Sequence, residues 1–205
     1  MVLIFFLFIL FIIIPGYVFF LFCRNEKFPL ERISSTIFFS INFGLFINVI
    51  LFYLFSFLKI PLNSLLFIYP GLTILLILLS CKKIVKHIKE ITLDKNEYVL
   101  FFLIIISFIL LMLKKGEIPI DINYLVPVSR SLGEGILINK QFVFFTELYD
   151  PRFSFNPFCY IILLMKIFSK YSLIYIWRNI PFIWVFSSLI SMYSFGELFF
   201  NNKKA

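Results

Sequence analysis

From Val2 to Cys23 the chain reads VLIFFLFILFIIIPGYVFFLFC, without one charged side chain. At about 1.5 Å per residue, such a stretch covers roughly the 30 Å of hydrocarbon in a bilayer. No basic segment precedes it and no small-residue cleavage pattern ends it, so it reads as a retained span rather than a removed leader. Comparable runs follow at residues 34–58, 61–81 and 98–113, and less clear ones at 153–168 and 179–200. These runs predict an all-α, polytopic integral membrane bundle of about six transmembrane helices, forming a single domain over residues 1–205. Only 15% of residues are charged, too few to clothe a globular surface, and 61% are apolar where soluble chains average about 45–50%.

Several details refine the spans. Pro15-Gly16 and Pro70-Gly71 should kink the first and third. Asn42 and Asn48, inside the second, should turn toward other helices because lipid offers amides no partner. His87, in KKIVKHIKEI, reads as part of an amphipathic helix with Ile84, Ile88 and Ile91 on one face. Glu197 and Arg178 lie near span ends, where snorkelling accounts for them.

The net charge of +8 falls between the spans, which fits the retention of basic loops on the cytoplasmic side of a plasma membrane and argues against nucleic acid as a partner. Arg24, Lys27 and Arg32 follow the first span. Lys82, Lys83, Lys86, Lys89 and Lys95 follow the third, and Lys166, Lys170 and Arg178 lie between the fifth and sixth. All three groups are expected on one side, which sets the N-terminus and residues 114–152 outside. Cys23, Cys81 and Cys159 have no ligand spacing and there is one histidine, so no metal site and no cofactor are expected.

The loop 114–152 holds five basic and five acidic residues. Within it, DINYLVPVSRSLGEG opens on Asp121, a good helix N-cap, and ends on Gly133 and Gly135, natural helix stops. A short helix along the outer membrane surface is expected there. At its start Asp121 could serve as a plain cap, or as a general base toward an acceptor hydroxyl. Arg130 and Arg152 could pair a phosphate in bidentate fashion, or meet lipid headgroups.

Asp121, Tyr124 and Gly133 or Gly135, followed by Tyr149, Pro151, Asn156 and Pro157, resemble the polytopic C-type glycosyltransferases that use polyprenyl-phosphate sugars. The stretch IPGYVFFLFCRNEKFPLERISSTIFFSINFG is similar to the start of multi-span proteins grouped with them. The resemblance implies transfer of a sugar from a polyprenyl-phosphate donor to an extracytoplasmic hydroxyl. It makes Asp121 the catalytic base and Tyr124, Arg130 and Arg152 substrate-binding residues. It also implies further spans and a soluble part, so a downstream polypeptide is expected to complete the enzyme. One departure is that Ile122 and Asn123 stand where the family has a second acid. Two other classes compete: a non-catalytic membrane subunit, and a cell-envelope polysaccharide polymerase or transporter. The last would use broken helices with polar groups at mid-membrane.

Overall fold

The computed structural model describes residues 2–24, 32–58, 60, 64–113 and 173–200. Helix α1 (Val2–Phe8), a π-helical turn (Ile9–Ile13) and α2 (Ile14–Cys23) run on as one rod. Then come α3 (Ile33–Phe57), α4 (Leu65–Glu90), α5 (Lys95–Leu113) and α6 (Leu173–Phe200). The described residues form no strand; Arg32 and Thr92 make one isolated bridge between two loops. Leu3–Cys23, Ile33–Leu51, Phe67–Glu90 and Lys95–Leu113 are long and apolar enough to cross a membrane. Exposed Phe67, Leu78, Phe102, Leu110 and Leu113 on α4 and α5 suit contact with lipid.

Lipid is as apolar as leucine, so close backbone approach rather than water exclusion holds such helices together. On α3, Thr36, Ser40, Gly44 and Asn48 recur every four residues and form one narrow stripe. A Cβ placed on Gly16 would strike the Ser40 carbonyl and Gly44 backbone, and one placed on Gly44 would strike the Ile12 carbonyl. The rod and α3 therefore touch backbone to backbone. The stripe's polar groups turn inward on their own helix: Thr36 Oγ1 donates to the Arg32 carbonyl at 2.9 Å, and Ser40 Oγ to the Thr36 carbonyl at 2.6 Å. At the other end, rings carry the packing. Phe5 meets Phe108 and Phe186 edge to face, at 5.4 and 5.1 Å between centroids, and Phe108 meets Phe182 at 5.5 Å.

These contacts fix directions. Late α2, early α3, late α4 and early α5 share one end of the bundle, with Arg24, Arg32, Lys82, Lys83, Lys86, Lys89 and Lys95. Late α6 joins them, since Glu197 pairs with Arg32. Early α1, late α5 and early α6 share the opposite end through the phenylalanines. Arg178, in the second turn of α6, is thus at the end away from the lysine-rich loops. The expectation that it shares their side is corrected: α6 runs parallel to the rod, because its acid has to reach Arg32. Residues 114–172, with the expected span 153–168 and the surface helix at Asp121, lie outside the described residues.

Other expectations shift too. The segment KKIVKHIKE is not a separate helix but the outer end of α4, which runs unbroken through Pro70. Its buried face pairs Ile84 with His87, while Ile88 is exposed and Ile91 lies past the helix end. Asn42 is exposed and donates to the Phe38 carbonyl of its own helix at 2.8 Å, so it needs no neighbour.

Candidate functional site

The sequence Asp94-Lys95-Asn96-Glu97 ahead of an apolar run is the pattern of a capping box. The structure forms the return half of it: the Asp94 N–H donates to Glu97 Oε2 at 2.9 Å, while the Glu97 N–H donates to the Asp94 main-chain carbonyl at 3.0 Å. The Lys95 N–H donates to Asp94 Oδ1 at 2.6 Å. Glu97 also reaches across to α3, where its Oε1 accepts the Ser34 N–H at 2.7 Å. One carboxylate, 0% exposed, therefore serves the positive ends of two helices. Beside it Arg32 lies 3.5 Å from Asp94 and forms an ion pair with Glu197. The Glu197 side chain is only 13% exposed. This corrects the snorkelling account of Glu197, whose charge is met inside the bundle. The starts of α3 and α5 and the C-terminal part of α6 are tied together here.

A second polar node lies deep in the apolar region. In a regular helix the Phe11 carbonyl would accept from residue 15, but Pro15 has no N–H to give. The chain widens into the π turn just ahead of this point, with the Ile14 N–H donating to the Ile9 carbonyl. The Phe11 carbonyl accepts instead from the Tyr69 hydroxyl, and at 3.4 Å from Asn48 Nδ2. Asn48 Nδ2 also donates to the Gly44 carbonyl at 2.7 Å and to the Tyr69 hydroxyl at 3.0 Å. Asn48 faces its neighbours as the sequence suggests, and Tyr69 joins it from α4.

A third contact ties α2 to outer α4. The Tyr17 hydroxyl and His87 Nδ1 share a hydrogen bond at 3.1 Å, with His87 1% exposed. Lys83 Nζ donates to the Phe22 carbonyl at 3.1 Å, using one of the carbonyls that end α2.

These nodes are scaffold chemistry. Both oxygens of Glu97 are occupied by backbone N–H donors, so the carboxylate serves to tie two helix starts together. Among the described residues no three His, Cys, Asp or Glu side chains converge as metal ligands. Asp121, Tyr124, Arg130 and Arg152 all lie outside the described residues, so the structure neither brings them together nor separates them. Glu97 and Tyr69 are the functional members of the scaffold that sequence reading overlooks. The Asp-x-x-Glu spacing signals the first; nothing local signals the second. In comparisons with known proteins, no family model, curated protein or solved structure matches this chain.

Proposed function

We propose that this chain is the membrane part of a lipid-phosphosugar-dependent glycosyltransferase, with five or seven spans in the plasma membrane and its reactive loop outside. The observation that carries this reading is the course of the chain around that loop. Helix α5 ends at Leu113 and α6 begins at Leu173, at the end of the bundle away from the lysine-rich loops. If the lysine-rich end is cytoplasmic, the polar segment holding Asp121, Tyr124, Arg130 and Arg152 departs from and returns to the outer face. Any crossings it makes come in pairs.

In this reading the Asp121 carboxylate takes the proton of an acceptor hydroxyl. The hydroxyl oxygen bonds to the anomeric carbon as that carbon's bond to phosphate oxygen breaks. Polyprenyl phosphate leaves, its charge met by Arg130 and Arg152, and Tyr124 contributes to holding the donor sugar. General-base catalysis is worth about 10²–10⁴-fold. Asp121→Asn keeps size and capping ability while removing the base. With transfer from a polyprenyl-phosphate sugar assayed in membranes at matched protein level, the variant should lose at least about a hundredfold in rate. Normal transfer would remove the base assignment, and loss of protein alone would return Asp121 to a helix cap.

The non-catalytic subunit remains the second reading, favoured by one observation: Glu97, Asn48 and the Arg32–Glu197 pair tie helices to one another, as a scaffold requires. The polymerase or transporter reading gains a broken helix and mid-membrane polar groups. However, the Tyr69 hydroxyl and Asn48 Nδ2 are both engaged at the Phe11 carbonyl.

A further inference from the structure

The outward face of the C-terminal part of α4 carries a feature that none of the nodes above uses. Lys82, Lys86 and Lys89 follow one another at four and three residues, so they form a single stripe along the helix. Cys81 and Val85 form the adjacent stripe. Together these five side chains line a groove of about 490 Å³. Its floor is apolar, with Val85 56% exposed, and its rim is three ammonium groups. Lys83 is turned the other way, onto the Phe22 carbonyl. Among the described residues the ion pairs are those of Arg32 with Asp94 and Glu197; Glu90, one turn beyond Lys86, forms none with these lysines and leaves the rim with a surplus of positive charge.

The position on the helix matters as much as the composition. From Leu65 to Cys81, α4 rises roughly 25 Å, close to the thickness of the hydrocarbon layer. Lys82 through Lys89 then occupy the following ~10 Å, the depth of the lipid headgroups. An apolar strip leading into a cluster of lysines at headgroup depth matches a phospholipid in both halves. An acyl chain lies against Val85 and Cys81, and a phosphate sits among the ammonium groups. A soluble anion would use the rim and leave the strip unused. We infer that this face of α4 binds one anionic phospholipid, its phosphate held by Lys82, Lys86 and Lys89. The inference is independent of the proposed transferase activity.

The test uses the full chain purified in neutral detergent. Retention of phosphatidylglycerol and of phosphatidylcholine with the same acyl chains is compared by native mass spectrometry. Each lysine near a membrane surface is worth about a fivefold preference for anionic lipid, so the unmodified chain should retain phosphatidylglycerol at least about tenfold better. The variant K82Q/K86Q/K89Q should bring the two lipids near parity. The variant K59Q/K114Q/K115Q, with the same charge loss at sequence positions outside α4, should keep the preference. Circular dichroism checks that each variant is folded. If the triple variant fails that check, K86Q alone should lower the preference about fivefold. Undiminished preference in K82Q/K86Q/K89Q, or in K86Q where it is the variant used, would overturn the inference, as would equal loss in both triple variants. So would displacement of the lipid by inorganic phosphate as readily as by phosphatidylglycerol, which would make this a soluble-anion site.

Discussion

The Glu97 carboxylate accepts the backbone N–H of Ser34 at 2.7 Å, and in doing so ties the start of α5 to the start of α3. Its second oxygen is held by the Asp94 N–H. A glutamine has a single acceptor oxygen, so Glu97→Gln leaves one of these N–H groups without its partner. Hydrogen bonds to charged groups are worth about 1.5–3 kcal/mol. The variant should lose stability in detergent by an amount in that range, seen as a lower unfolding temperature, and Glu97→Ala should lose more. An unchanged melting temperature for Glu97→Ala would show that the two helix ends do not depend on this carboxylate.

Arg32 and Glu197 should behave as a coupled pair. Arg32 is about a third exposed and Glu197 far less. The loss from either Arg32→Gln or Glu197→Gln should therefore fall between exposed and buried pairs, about 1–3 kcal/mol. The double variant should lose less than the two singles added together. Simple additivity in a double-mutant cycle would mean the contact carries no energy.

Tyr69→Phe deletes the hydroxyl that serves the Phe11 carbonyl. Hydrogen bonds between membrane helices contribute about 0.6–2 kcal/mol, and a loss of this size is expected. The more telling comparison is in a Pro15→Ala background, where residue 15 regains an N–H for the same carbonyl. There Tyr69→Phe should cost clearly less. An equal cost in both backgrounds would separate the tyrosine from the proline defect.

Two glycines should respond in opposite ways. A methyl at Gly44 meets the Ile12 carbonyl, a backbone atom that moves only if the helices part, whereas one at Gly71 meets nothing within 4 Å. Gly44→Ala should destabilise the fold and reduce its amount in membranes. Gly71→Ala should be neutral or stabilising by up to about 1 kcal/mol, since alanine is the better helix former. Equal stability of the two variants would contradict the backbone contact between the rod and α3.

The direction of α6 makes a topological prediction. In a background without native cysteines, single cysteines at positions 89 and 203 should both resist an impermeant maleimide added to intact cells, and one at position 135 should react. Position 203 follows shortly after α6, whose Glu197 end lies beside Arg32. Labelling at 203 but not at 89 would place the ends of α6 the other way round. Labelling at 89 but not at 135 would invert the whole molecule and move Asp121 to the cytoplasm.

Four spans are legible in the sequence because charge-poor runs of this length have few other solutions. Their ends are less so. The first residues of α5, Lys95-Asn96-Glu97, read as polar loop by hydropathy, although the Asp-x-x-Glu spacing marks a helix start. Outer α4 looks like a separate surface helix because lysines interrupt its apolar pattern. Its buried side is set by Tyr17 and Phe22 on another helix, which no local period can reveal. The direction of α6 escapes the sequence for the same reason. Lys166, Lys170 and Arg178 suggest one side, and only the meeting of Arg32 with Glu197 decides for the other.

That meeting also bears on how the protein is made. The rod, α3 and α4 can associate soon after each is synthesised, since Gly16, Gly44, Asn48 and Tyr69 follow one another closely in the chain. Arg32 and Phe5 have no such early opportunity, because part of what they bind is in α6, made long after them. At about 5–20 residues per second, Arg32 waits on the order of 10–30 s for Glu197. During that interval the newborn bundle presents, at one end, a guanidinium met by Asp94 alone and, at the other, an open aromatic seat. Arrival of α6 closes both at once, which makes its insertion the step that commits the nascent chain to its final form.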